Sequence, residues 1–436
     1  MVQTRVHKII LPTSDLPKAW LNPTPILAKL LKKELPKPKN PEKFDRIAEM
    51  ENYWSPSLLA IERSDSAEFP IPNDVMNLLI WAGRPTPLQR AYNLEKALNT
   101  PAKIFYKRED IQYGTTGKTN IAIPQAYFVA KDGFKRLVAA GGAQWGTAAS
   151  IAARYQDLNL DVYIPKEYLE SKEPHRVVME VNAAKVHGSP SQDTEVGKQM
   201  AKEDPYGSIA TAFSEGVEDA SKDDGAAVIF GNFFNTPIVF QSIAGLEAAA
   251  QCKIAGIYPD VVIGSIEGFL GVALPFLADL AEGRKTGTRF IVAGSKYVPS
   301  LTEGKIDYDY PDYAGLMPLY RFHTLGSRRT IPLIHAGEMR HHGVSPILSA
   351  LVEAGIVTPK MYGQTELYEA STLFCRNQGV IPSHEAQYAI KAVVDEAIQA
   401  KSEGKERVIL FNLSGHTMLE HKGYLEWIIQ KKLQLP

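Results

Sequence analysis

Along the chain, short runs of β-branched and aromatic residues recur at 103–106, 136–139, 160–164, 226–230, 260–264, 289–293 and 407–411. Between them lie stretches with apolar residues at helical spacing, at 121–131, 146–155, 238–252 and 385–400. Strand and helix therefore alternate, and a crossover between parallel strands needs a connection about the length of a helix. The pattern predicts an α/β fold of mostly parallel, twisted sheets wrapped by helices. Residues 11–41 break the rhythm: they are rich in Pro and Lys, with one apolar island at 26–31 that predicts a single short helix. This segment reads as an extended arm lying on the body. We divide the chain into an arm and cap over 1–82, a lobe over 83–255 and a second lobe over 256–436, with the two lobes interleaved.

In open sheets of this kind ligands sit beyond the carboxyl ends of the strands. The segments that matter most are therefore 107–118, 140–146, 265–271 and 412–416. Composition narrows the chemistry. The 436 residues are 44% hydrophobic and 22% charged, with a formal net charge of −1. That is ample material for a large core, and acidic and basic residues are mixed throughout, which favours neither nucleic acid nor an anionic membrane surface. Two cysteines, Cys252 and Cys375, supply neither a disulfide framework nor a paired zinc motif. The N-terminus lacks the pattern of a signal peptide, and a cytoplasmic location is expected.

The loop segments carry a recognisable set of motifs. They are Gly83-Arg84-Pro85-Thr86-Pro87-Leu88, Lys107-Arg108-Glu109-Asp110, Lys118-Thr119-Asn120 and Gly142-Ala143-Gln144-Trp145-Gly146. Further on come Tyr310-Pro311-Asp312-Tyr313-Ala314-Gly315-Leu316, Arg340-His341-His342-Gly343 and Asn412-Leu413-Ser414-Gly415-His416. In order and spacing the chain resembles the tryptophan synthase β-subunit family in its stand-alone second type, a group of fold-type II pyridoxal phosphate enzymes. The resemblance implies that Lys118 bonds covalently to the cofactor. It also implies that Asn120 faces the cofactor ring, Ser414 hydrogen-bonds the pyridine nitrogen, and Gly264, Ser265 and Gly268 lie by the phosphate. The turn carrying Gly141, Gly142, Ala143, Gln144 and Trp145 would receive a substrate carboxylate; a small-residue turn opening a helix suits an anion on physical grounds too. A homodimer is implied, as is a small-molecule substrate, an amino acid or a carbonyl compound. Burial of Lys118 is expected to lower its pKa and sharpen it as a nucleophile.

Three positions depart from the pattern. The family's acid–base glutamate falls on Ala139, and a methyl group moves no protons. The glycine-rich phosphate loop becomes Gly264-Ser265-Ile266-Glu267-Gly268-Phe269, which adds a negative charge beside the expected phosphate. The histidine before the lysine is Gly117. These changes leave three readings open: β-elimination or β-replacement on an amino acid with a good leaving group, a cofactor-independent enzyme built on Lys118, and a non-catalytic binding homologue. Glu109 and Asp110 offer replacement carboxylates, Arg84 and Arg340 offer anion contacts, and Glu385 suits a helix N-terminus. His341 and His342 are adjacent and lack a third ligand, so no metal site is expected.

Overall fold

The computed structural model describes residues 7–433. Seven strands form the larger sheet, in spatial order Lys8–Ile9, Leu88–Arg90, Lys103–Arg108, Val408–Leu413, Val261–Ser265, Arg289–Ser295 and Val357–Tyr362. The first two join antiparallel at one edge, and the other five run parallel. A second, four-stranded sheet is parallel throughout, in the order Lys185–Ser189, Asn159–Pro165, Arg136–Ala140 and Ala226–Phe230. Each expected strand is present within one or two residues of its expected bounds. The strands Lys8–Ile9, Leu88–Arg90, Lys185–Ser189 and Val357–Tyr362 are additional: the first two are too short to show alternation, and the other two, interrupted by Gly188 and Pro359, lack an unbroken apolar run.

The larger sheet shows why these segments are strands. Ile104, Tyr106, Val261, Ile263, Ile409 and Phe411 bury toward one face, against the helix His384–Glu403. Phe105, Val262 and Leu410, one residue out of step, bury toward the other, in a core shared with the helices Asn235–Ile254 and Phe269–Ala281. This is the two-residue period of a strand covered on both faces, and each fully buried side chain of this size contributes about 1.5–3 kcal/mol. The smaller sheet has its own core, in which Trp54 packs edge-on against Phe230 and Phe234.

The single short helix expected at 26–31 is present. It spans Pro23–Leu31, opening with Pro at its first position and with the Asn22 side chain accepting from Thr24 N at 3.1 Å. Asn22 also donates to Ser64 O and Ser66 O, so one residue starts the helix and ties it to the following segment.

Both sheets aim the carboxyl ends of their strands at a common cleft. From the larger sheet come the segments after Arg108, Ser265 and Leu413; from the smaller come those after Ala140 and Phe230.

Candidate active site

Lys118 stands at the start of the helix Thr119–Lys131, after a tight turn in which Gly114 and Thr115 take positive φ. Gly117 N donates to Ser414 O at 3.0 Å, and Thr119 Oγ1 donates to Tyr113 O at 2.6 Å, which pins the turn against the end of the Val408–Leu413 strand. A side chain at Gly117 would press on Glu109, its Cβ lying 3.0 Å from the Glu109 Cβ. The lysine is 5% exposed and projects into the cleft.

There it meets two carboxylates. Lys118 Nζ lies 2.7 Å from Glu267 Oε2 and 3.1 Å from Glu338 Oε2. Burial alone lowers the pKa of this amine, as expected, but Glu267 and then Glu338 outweigh it and hold the amine above the ordinary lysine range. The expectation of a lowered pKa is therefore corrected: the nearby charges could not be placed from the order of residues. Burial and the neighbouring Glu338 push the Glu267 carboxyl up, against the pull of Lys118.

Glu267 sits in a turn closed by Gly268 N donating to Ser265 O at 3.0 Å, and its carbonyl accepts from Asn232 and Gln241. Its carboxylate points into the cleft. Around it, Ser265 Oγ and Asn412 Oδ1 are buried without a hydrogen-bond partner. Gly264 is packed against the backbone of Phe269, and a Cβ at Gly268 would come within 2.6 Å of Asn412 Nδ2 and 3.3 Å of Ser414 Cβ.

Glu338 was not singled out from the sequence. It precedes the Arg340-His341-His342-Gly343 motif by two residues, in the short turn Gly337–Met339, and its only sequence signal is an acid beside that motif. Glu338 Oε1 accepts from Gln144 N at 2.9 Å and Trp145 N at 3.4 Å, the opening amides of the helix Ala143–Tyr155. A Cβ at Gly142 would fall on this carboxylate, and one at Gly141 would lie 2.6 Å from the Trp145 ring. The amides of the turn expected to receive a substrate carboxylate bond the chain's own Glu338.

Behind it lies a buried polar network. Glu338 N donates to Glu385 Oε1 at 3.2 Å, and Gln144 Nε2 donates to Glu385 Oε2 at 2.5 Å and Glu420 Oε1 at 2.7 Å. Burial, with Glu420 nearby, pushes the Glu385 carboxyl up to about 8. Glu420 is itself paired with Lys172, which holds its carboxyl far below the usual range despite burial. Glu385 does open a helix, and it also joins this network.

The other candidate side chains bond within the fold. Arg84 pairs with Glu109 and Glu247, each at 2.7 Å, and donates to Asn120 Oδ1 at 2.8 Å. Asn120 in turn donates to Glu109 at 2.6 Å, and Asp110 pairs with Arg108. Arg340 donates to the carbonyls of Pro332 and Ile331. His341 and His342 bond to backbone carbonyls, and no cluster of metal-ligating side chains occurs among the described residues. No helix among the described residues is long and apolar enough to cross a membrane.

Two small cavities flank Lys118. One of about 50 Å³ is lined by Trp145, Phe213, Phe233, His341 and Leu348 and by the carboxylate-bearing Glu267 and Glu338. The other, of about 10 Å³, is bordered by Gly117, Asn120, Asn412 and Ser414.

A buried lysine stands where two largely parallel sheets meet, and the comparisons give the class. The profile of a family described as "Pyridoxal-phosphate dependent enzyme" matches residues 81–415. Among solved structures, a fungal L-serine ammonia-lyase from Rhizomucor miehei superimposes with a TM-score of 0.57 at 15% identity, covering 79% of this chain and 98% of its own. A threonine deaminase from T.th. does so at 0.52 and 17%, covering 80% and 98%. These two establish the fold-type II architecture. Within the class, the "Tryptophan synthase beta chain 2" of Pyrococcus abyssi is 42% identical over 427 residues, 97% of this chain and 96% of that relative. That of Aeropyrum pernix is 40% identical over 432 residues, 97% of this chain and 95% of that relative. The chain belongs to the tryptophan synthase β family, whose cofactor is pyridoxal phosphate.

Proposed function

We propose that the chain is a tryptophan synthase β-like lyase that performs β-elimination or β-replacement on an amino acid, or another small-molecule amine, with a good leaving group. The observation that carries this reading is the placement of Lys118, 5% exposed, in the cleft where both sheets end. Pyridoxal phosphate, when bound, would supply an electron sink. The ring end of that cofactor suits the residues present, since Lys118, Asn120 and Ser414 border one cavity.

The phosphate end does not suit them. The 264–268 turn presents the Glu267 carboxylate inward, and two anions a few ångströms apart in a poorly solvated cleft repel by about 4 kcal/mol at an effective dielectric of about 20. The cavities hold only a few waters at about 10–15 Å³ each.

Within the cleft, Glu267 and Glu338 keep a proton on Lys118 Nζ and are its immediate acceptors. Ala139 brings no carboxylate, so a leaving group that departs without strong protonation, such as phosphate, fits better than hydroxide. A second reading, favoured by the Glu267 carboxylate standing where the phosphate would lie, is an enzyme that works without the cofactor and uses Lys118 as nucleophile or base once a neighbouring carboxylate has taken its proton. We place either enzyme in the cytoplasm as a homodimer.

The test is to incubate the purified protein with pyridoxal phosphate, reduce with borohydride and map the product by peptide mass. Modification of Lys118 is the result expected. An unmodified Lys118 overturns the first reading, and activity that survives cofactor removal but not Lys118→Ala supports the second.

A further inference from the structure

The anion seat at the start of the helix Ala143–Tyr155 is filled from within. Its two amides bond Glu338 Oε1, while Glu338 Oε2 faces Lys118. The carboxylate is 95% buried with its residue and packed so closely on Gly142 that a methyl group there would displace it. Its backbone is fixed as well, through Glu338 N and Glu385. Counting the groups that meet at Nζ gives one cation, Lys118, against two carboxylates, Glu267 and Glu338, for a sum of −1 at full ionisation.

We infer that Glu338 is a specificity-determining residue that excludes a substrate carboxylate, so that the cleft selects an amine lacking one. An α-carboxylate entering beside Lys118 would find the helix amides already bonded and two like charges at hand. An ammonium group finds the reverse: a surplus of negative charge at Nζ, in a cavity that Trp145, Phe213 and Phe233 also line. This inference goes beyond the proposed function by narrowing its substrate to amines without a carboxylate, and it rests on the cleft at Lys118 being the reactive site.

The experiment compares L-serine with ethanolamine, which is the same molecule without its carboxylate. Binding to the full-length protein is measured by calorimetry, for wild type, Glu338→Ala and Glu338→Gln. Wild type should prefer ethanolamine by at least tenfold. Glu338→Ala, which vacates the seat, should tighten L-serine binding at least tenfold and narrow or reverse that preference. Glu338→Gln keeps the side chain in place and sheds only its charge, so it should shift the ratio toward L-serine by a smaller factor; it also carries the test should the alanine variant not fold. Tighter binding of L-serine than of ethanolamine by wild type, an unchanged ratio in both variants, or binding of neither ligand to any form overturns the inference. Failure here is separable from failure of the proposed function, because modification of Lys118 by pyridoxal phosphate is read independently of this ratio.

Discussion

Replacing Glu247 by Gln should expose how the scaffold beneath the lysine turn is held. Glu247 is fully buried between Lys107, whose Nζ lies 2.6 Å from its Oε2, and Arg84, at 2.7 Å from its Oε1. With Glu109 the cluster holds two cations and two anions; the substitution leaves one positive charge unmatched in a site closed to water. Removing one partner of a buried ion pair costs about 3–5 kcal/mol, a deficit readable from urea midpoints. Its pH dependence identifies the cause. Burial already holds Lys107 below the ordinary lysine value in spite of Glu247 and Glu109, and loss of Glu247 lowers it further. Between that lowered value and the unfolded value of 10.5, the folded state binds fewer protons than the unfolded state, so stability rises with pH. The deficit of Glu247→Gln should therefore shrink from pH 7 to pH 9.5, and adding Lys107→Met should remove most of it at pH 7. A deficit under about 1 kcal/mol, or one indifferent to pH, would refute the charge argument.

Glu385, with a carboxyl held near 8, binds a proton in the folded state that the unfolded chain has lost above its usual value of 4.5. Its contribution is present at low pH and disappears as pH rises through about 8, so wild type should lose stability relative to Glu385→Gln between pH 5 and 9, measured by paired denaturant titrations. Gly142→Ala should push the Glu338 carboxylate off its seat and remove one of the two groups that raise Lys118, so acetylation of Lys118, followed by mass spectrometry, should set in at lower pH than in wild type. Trp54→Ala, emptying a site packed against Phe230 and Phe234, should cost about 3–5 kcal/mol in a urea melt. Gly207→Ala should destabilise by more than about 1 kcal/mol in the same assay, because φ is +71° and a methyl group would fall on the Ser189 carbonyl.

Sequence alone determined the layered architecture, because a strand covered on both faces needs an unbroken apolar run, and the runs at 226–230 and 260–264 have no other economical home. It also determined that Lys118 stands between a strand at 103–106 and a helical stretch at 121–131, since local turn chemistry and helical spacing are read within a dozen residues. Which charges surround that amine was decided only by tertiary structure. Glu267 and Glu338 lie 149 and 220 positions away from Lys118, and nothing in their own neighbourhoods says whether they face solvent or the cleft. The same holds for Arg84, suited by its sequence to a substrate anion and spent instead on Glu109 and Glu247. Coulomb energy depends on separation in space and on exclusion of water, and both arise only when distant segments close on one another.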